Sequence, residues 1–290
     1  VNNTTNIEAL IQLMDDPDEG VFLHVRDRLL QYGPDAIPYL ENSWGEKDYG
    51  LIFLNRVEQL IHDIQFEDVK KQLQQWQNSE KDLLKGAIII AKYQYPGLHE
   101  EHIFEFIEHV RKDAWLELSN RHTAYEKVRI LNKIFFDLHH FKGDSKNFHS
   151  PLNSFINTVI EQRKGNPLSL TILYSIIAQS LNMPIYGVNL PNHFIAAYID
   201  EDGINQFVNK ENNNGVLFYI NVFSRGSLFD EAEINEFLIK LNLDPSREYF
   251  EPCSNTTILR RMLTNLITSF QQAGNAEKVN ELMQLRDLLA

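Results

Sequence analysis

The sequence predicts an α+β chain: a small antiparallel sheet packed beside one long apolar helix, with mostly helical regions before and after it. Three observations carry this. Apolar residues recur at helical spacing almost without a break to about residue 140. The period then switches, because residues 185–190 and 193–199 alternate or run apolar as buried strands do. Helical spacing returns from residue 230 to the end.

Residues 7–14 read as the first amphipathic helix, with Ile7, Leu10, Ile11 and Met14 apolar. Asp15-Asp16-Pro17-Asp18 ends it and caps the next. Val21, Phe22, Val25 and Leu29 mark a second helix, stopped by Gly33-Pro34, and a third covers 36–44. Helix, turn, helix, turn, helix resembles one or two HEAT-like units, the alternative being a plain helical bundle. Apolar stripes then run through Leu54, Val57, Leu60 and Ile64, through Val69, Leu73 and Trp76, and through Leu83, Ala87, Ile88 and Ala91. Further helices are predicted over 103–118, 124–136 and 152–163, with a polar loop at 142–150. The strands at 185–190 and 193–199 are joined by Pro191-Asn192. A hairpin turn at Glu201-Asp202-Gly203, a third strand at 205–209, a polar link at 210–214 and a fourth strand at 216–222 complete the sheet. Helices follow at 230–241, 256–273 and 276–289, the last two broken at Gly274-Asn275 like a single tetratricopeptide-type unit.

The run Arg163-Lys164-Gly165-Asn166-Pro167-Leu168-Ser169-Leu170-Thr171 is a tight turn that tips into an apolar helix. Gly165 permits backbone angles that other residues avoid. Asn166 is a good N-cap, and Pro167 suits the first helical position, where no amide hydrogen is needed. A helix N-terminus facing a cleft is where a thiol or an anion is best stabilised.

The chain has 290 residues, 43% hydrophobic and 23% charged, which is enough to bury a sizeable core. Its net charge of -13 argues against a nucleic-acid or anionic-membrane partner, since phosphate binding needs clustered positive charge. A single cysteine, Cys253, excludes a disulfide framework and a thiolate zinc cluster within one chain, and fits a reducing, cytoplasmic setting. No apolar run reaches membrane-spanning length. His139, His140 and His149, with Asp137 and Asp144, match none of the usual zinc spacings, and no phosphate loop or dinucleotide fingerprint is present. No metal and no cofactor is expected.

An apolar helix behind a glycine turn, then a strand opening with histidine, then a strand ending in a polar residue, resembles papain-like and transglutaminase-like folds. More specifically, Asn153-Ser154-Phe155, Val159-Ile160-Glu161-Gln162-Arg163-Lys164-Gly165-Asn166-Pro167-Leu168-Ser169-Leu170, Gly187-Val188-Asn189-Leu190-Pro191-Asn192-His193-Phe194, Asn221-Val222-Phe223-Ser224-Arg225-Gly226 and 258–266 resemble the SirB-type transglutaminase-like proteins of bacteria. The resemblance runs from roughly Leu83 to the C-terminus. It implies a wider-superfamily triad in which the nucleophilic cysteine falls on Pro167, the base on His193 and the orienting carboxylate on Asn221. Proline neither attacks nor donates, so covalent cysteine chemistry is lost at that position.

The expected division is a HEAT-like helical region at 1–80, a transglutaminase-like core at 81–245 and a tetratricopeptide-like hairpin at 246–290. The expected cleft residues are Glu161, Asn166, Ser169, His193 and Asn221. The expected function is a non-catalytic module that keeps the cleft for a protein or peptide partner. Two alternatives stand beside it. One is a hydrolase or acyltransferase on an amide or ester bond, with Ser169 as nucleophile and His193 as base. Ser169 lies about 200° round the helix from Pro167, so it does not take the thiol's place directly. The other is a pure scaffold with a vestigial cleft. Cys253, a lone thiol beyond the sheet, is expected to be inert.

Overall fold

The computed structural model describes residues 2–43, 49–199 and 215–290. The turn at Glu201-Asp202-Gly203, the strand at 205–209 and the link at 210–214 lie outside the described residues. The chain forms two compact units, one of residues 1–75 with 92–96 and the other of residues 76–91 with 97–290.

The first unit is helical. It contains α1 (Asn2–Gln12), α2 (Glu19–Tyr32), α3 (Ile37–Ser43) and most of α4 (Leu51–Gln77). The Asp-Pro-Asp turn works as its composition suggests: the Asp18 side chain accepts from the Gly20 amide at 2.8 Å and caps α2. Gly33 ends α2 at φ 60°, where a side chain would be strained. Ile7, Met14, Leu29, Leu40, Phe53 and Leu60 form the core of this unit. Arg56 ties α4 to the turn, donating to the carbonyls of Met14 and Asp16 at 2.8 Å each while its guanidinium lies over the Phe22 ring.

The second unit is built around one helix. After most of α5 (Leu83–Gln94), and α6 (Glu100–Glu117) and α7 (Ala124–Asn132), the chain makes a short strand β1 (Lys142–Gly143), then α8 (Ile156–Gln162), β2 (Lys164–Gly165) and α9 (Pro167–Ser180). Strands β3 (Ile185–Val188), β4 (Ile195–Ile199), β5 (Val216–Asn221) and β6 (Ser227–Phe229) form an antiparallel sheet in that spatial order. Helices α10 (Glu231–Lys240), α11 (Asn255–Gln272) and α12 (Ala276–Asp287) close the chain.

Helix α9 is buried on all sides from Pro167 to Ser175, as a helix apolar all round must be. It packs against α6, α8, α11 and strands β3 and β4. Leu170, Leu173 and Ile177 are fully buried, each stabilising the fold by about 1.5–3 kcal/mol. The opposite face of the sheet covers Ile234, Leu238 and Phe250 with Val188, Ile195, Ala197 and Tyr219. The architecture is therefore α+β with mostly helical ends, as the change of period predicts.

Several local expectations are corrected. The stretch 152–163 is not one helix. A single turn over Pro151–Asn153 breaks at Ser154-Phe155, and α8 begins only at Ile156. The 124–136 helix changes to π-type winding over Lys133–Leu138. The positive φ near the central turn belongs to Arg163, at 56°, and not to Gly165. Gly165 is required for a different reason: a Cβ there would meet Ser169 Oγ at 2.6 Å. His193 precedes β4 rather than opening it, and β1, β2 and β6 are too short to show a period in the sequence.

Candidate functional site

The site begins with the cap of α9. Asn166 Oδ1 accepts from the Ser169 amide at 2.9 Å, and the Asn166 amide donates to Ser169 Oγ at 3.1 Å. This reciprocal capping box, with Pro167 at the first helical position, fixes the direction of the helix N-terminus. The Asn166 side chain also donates to Ser154 Oγ at 3.0 Å, so the break before α8 supplies a partner for the cap.

Ser169 is 6% exposed, and its hydroxyl donates to the Asn153 carbonyl at 2.6 Å. It is not among the residues lining the cleft. The cleft is a cavity of about 290 Å³ walled by Phe148, Asn166, Pro167, His193, Arg261 and Asn265, among others. Pro167 lies in the wall of this cleft and presents its ring there.

His193 sits in the turn between β3 and β4, held there by the αL residue Asn192 (φ 57°) and by its amide, which donates to the Leu190 carbonyl at 3.3 Å. Burial pushes the imidazole pKa down, a hydrogen bond with the Asn221 side chain pulls it back up, and the Arg261 cation lowers it further. The net shift is downward, so the ring is neutral at neutral pH. Asn221 ends β5, and its Oδ1 also accepts from the Ser224 amide at 3.1 Å. Asn221 thus stands beside His193 without lining the cavity, whereas the Ser169 hydroxyl is committed elsewhere. Glu161 is exposed on α8 and lines no part of the cleft.

Arg261 is the residue that sequence reasoning passed over. It lies on α11, within a motif that the resemblance already quoted, but helical spacing gave it no role. Its Nη1 donates to Asn189 Oδ1 at 3.2 Å, and burial lowers its pKa without removing its charge. Among the described residues, no Asp or Glu lines the cleft. In a chain of net charge -13, that makes the cleft a local cationic spot.

Asn132 was also missed. Its Nδ2 donates to the Gly226 carbonyl at 2.9 Å and its Oδ1 accepts from Tyr174 at 2.8 Å, so one side chain joins α7, α9 and the β5–β6 turn. Gly226 has φ 70°, and a Cβ there would meet Asn132 Oδ1 at 2.1 Å. The nearby Arg225 pairs with Asp137 across a larger, shallower hollow of about 600 Å³ beside α7, which shares no residue with the His193 cleft. Cys253 lies outside the cleft lining, and burial pushes its thiol up to about 12. Among the described residues, no helix is long and apolar enough to cross a membrane.

Comparison with known proteins agrees with this geometry. The family model of the Transglutaminase-like superfamily matches residues 101–264, which include α9, strands β3–β6, Pro167, His193 and Arg261. A UPF0162 protein of Xylella fastidiosa is 26% identical over 195 residues, 63% of either chain. A UPF0162 protein of Vibrio cholerae is 26% identical over 39% of this chain and 42% of its own length. F-box only protein 21 of Mus musculus is 23% identical over 90% of this chain but 36% of that protein. The chain thus spans less than two thirds of the length of each of these three relatives. No solved structure matches. With the family matched over more than half its length, the chain belongs to the transglutaminase-like superfamily.

Proposed function

We propose that this chain is a non-catalytic member of its superfamily, of the SirB-type branch, whose cleft binds a peptide or protein segment through an acidic group. The observation that carries the reading is Pro167 at the mouth of the cleft beside an intact His193–Asn221 pair. A base without a nucleophile does not make an acyl-enzyme. The space is not filled by side chains, and Arg261 lines it with no carboxylate opposing it among the described residues, which favours a bound carboxylate. Ser169 as nucleophile gains no support, since its hydroxyl serves the cap and the Asn153 carbonyl.

The test pairs binding with turnover. Fluorescently labelled peptides carrying a C-terminal or side-chain carboxylate should bind, while the same peptides amidated should bind at least about 10-fold more weakly, as expected for the loss of one charge-assisted pair. Arg261→Met should remove the difference. Turnover of ester or amide substrates, or fluorophosphonate labelling, that disappears in His193→Ala would overturn the reading.

A further inference from the structure

A second histidine cluster stands apart from the cleft. On α6, His109 and Asp113 are one turn apart and share a face. The π-wound continuation of α7 delivers His139 to them. The His139 amide donates to the Ile134 carbonyl at 2.9 Å, and the next residue, His140, takes φ 59°. Both features are uncommon, and such winding and strained backbone concentrate at functional positions.

His139 Nε2 lies 2.8 Å from Asp113 Oδ2, and His109 Nε2 lies 3.7 Å from the same oxygen. One ligand atom from each of the three residues falls within 4.8 Å of the other two. We propose that His109, Asp113 and His139 form a mononuclear site for a divalent transition metal, zinc being the ion whose preferences they match. Metal–ligand bonds of about 2.0–2.2 Å in a tetrahedron place neighbouring ligand atoms roughly 3.4 Å apart. Asp113 and His139 must therefore separate by about 0.6 Å, and His109 must swing inward, by about 0.3 Å toward Asp113 and by up to about 1.4 Å toward His139. The first shift is small. The second is easy, because the His109 side chain is 67% exposed while that of His139 is only 8% exposed.

The chemistry of the donors agrees. Two imidazoles and a carboxylate suit zinc, and three protein ligands leave one position open for water or another donor. Phe106 stands edge-on to the His139 ring at 5.8 Å and fixes its plane. Arg163 opposes a cation, Asp113 is the anion that answers it, and affinity will accordingly fall below that of a four-ligand structural site.

The full chain, stripped with chelator, should be titrated with zinc by calorimetry and with cobalt by visible absorption. We expect one ion per chain, an intense tetrahedral cobalt band, and a loss of affinity of at least about 100-fold in His109→Gln and in Asp113→Asn. His109→Gln alters an exposed side chain, so its circular dichroism should be unchanged. His193→Gln should bind as the parent does. No binding by the parent, unchanged binding by His109→Gln, or loss of binding in His193→Gln instead would each overturn the proposal.

Discussion

Two histidines shielded from solvent in this molecule have the same problem and different solutions. His193 and His139 both have pKa values pushed down by burial, and both are held by a side-chain hydrogen bond. His193 is held by the uncharged Asn221 and faces Arg261 in a cavity. His139 is held by the charged Asp113, with His109 beside it. A neutral amide orients a ring but adds no charge, so the cleft is left cationic and suited to an anion. A carboxylate in the same role makes its site anionic and, with a second imidazole near, suited to a cation. The identity of the orienting group, more than the histidine, decides what each site can take.

The largest expected effect comes from a thiol introduced beside His193. Pro167→Cys places a thiol at the N-terminus of α9 within the cleft that His193 lines. Helix N-termini and nearby bases lower thiol pKa values, whereas the Cys253 thiol is pushed up to about 12. At pH 7.5 the new thiol should react with iodoacetamide at least about 100-fold faster than Cys253, read by mass spectrometry. Equal reactivity would mean that the cleft no longer supports a nucleophile at all.

The next effect is on stability. Ser169→Ala removes the hydroxyl that accepts from the Asn166 amide and donates to the Asn153 carbonyl. The Asn166 amide also donates to that carbonyl at 3.3 Å, so neither group is left wholly unpaired. A loss of about 1–2 kcal/mol is expected in denaturant unfolding. A variant as stable as the parent would show that the hydroxyl is not structural and would reopen the nucleophile reading.

How much of this was legible in the sequence follows from what leaves a periodic trace. Helix α9 could be placed because Asn166 and Pro167 are start signals and the apolar run behind them is unbroken. Strands β3 and β4 showed through their short apolar runs. His193 and Asn221 could be paired only through the family resemblance, because they come from separate elements. Arg261 carries no local signal: its role arises from where α11 lies against the β3–β4 turn. The His109–Asp113–His139 cluster was hidden in the same way. Half of it is a one-turn repeat on α6, but the third member arrives through a π-wound segment that sequence spacing reads as ordinary helix. The sequence reading weighed His139 only with its near neighbours, whereas Asp137 pairs with Arg225 and the Asp144 side chain accepts from the Asn147 amide at 3.2 Å.

The smallest expected effect is the most direct exchange between the two sites. Asn221→Asp gives His193 the kind of partner His139 has. An anion within hydrogen-bond reach favours the imidazolium, so the His193 pKa should rise by about 1 unit, read by NMR titration of the ring protons. The sign for stability follows. In the parent, the folded pKa of His193 lies below its unfolded value, so its contribution is complete above the unfolded pKa of about 6.5 and is lost as pH falls below it. In the variant that acid-side loss should shrink, and stability between about pH 5 and 6.5 should fall less steeply than in the parent. The carboxylate would also set a negative charge near Arg261 and weaken the binding of acidic peptides. If the pKa rises and peptide binding is unchanged, the cleft's charge is not what selects its partner, and the contrast between the two histidines would reduce to geometry alone.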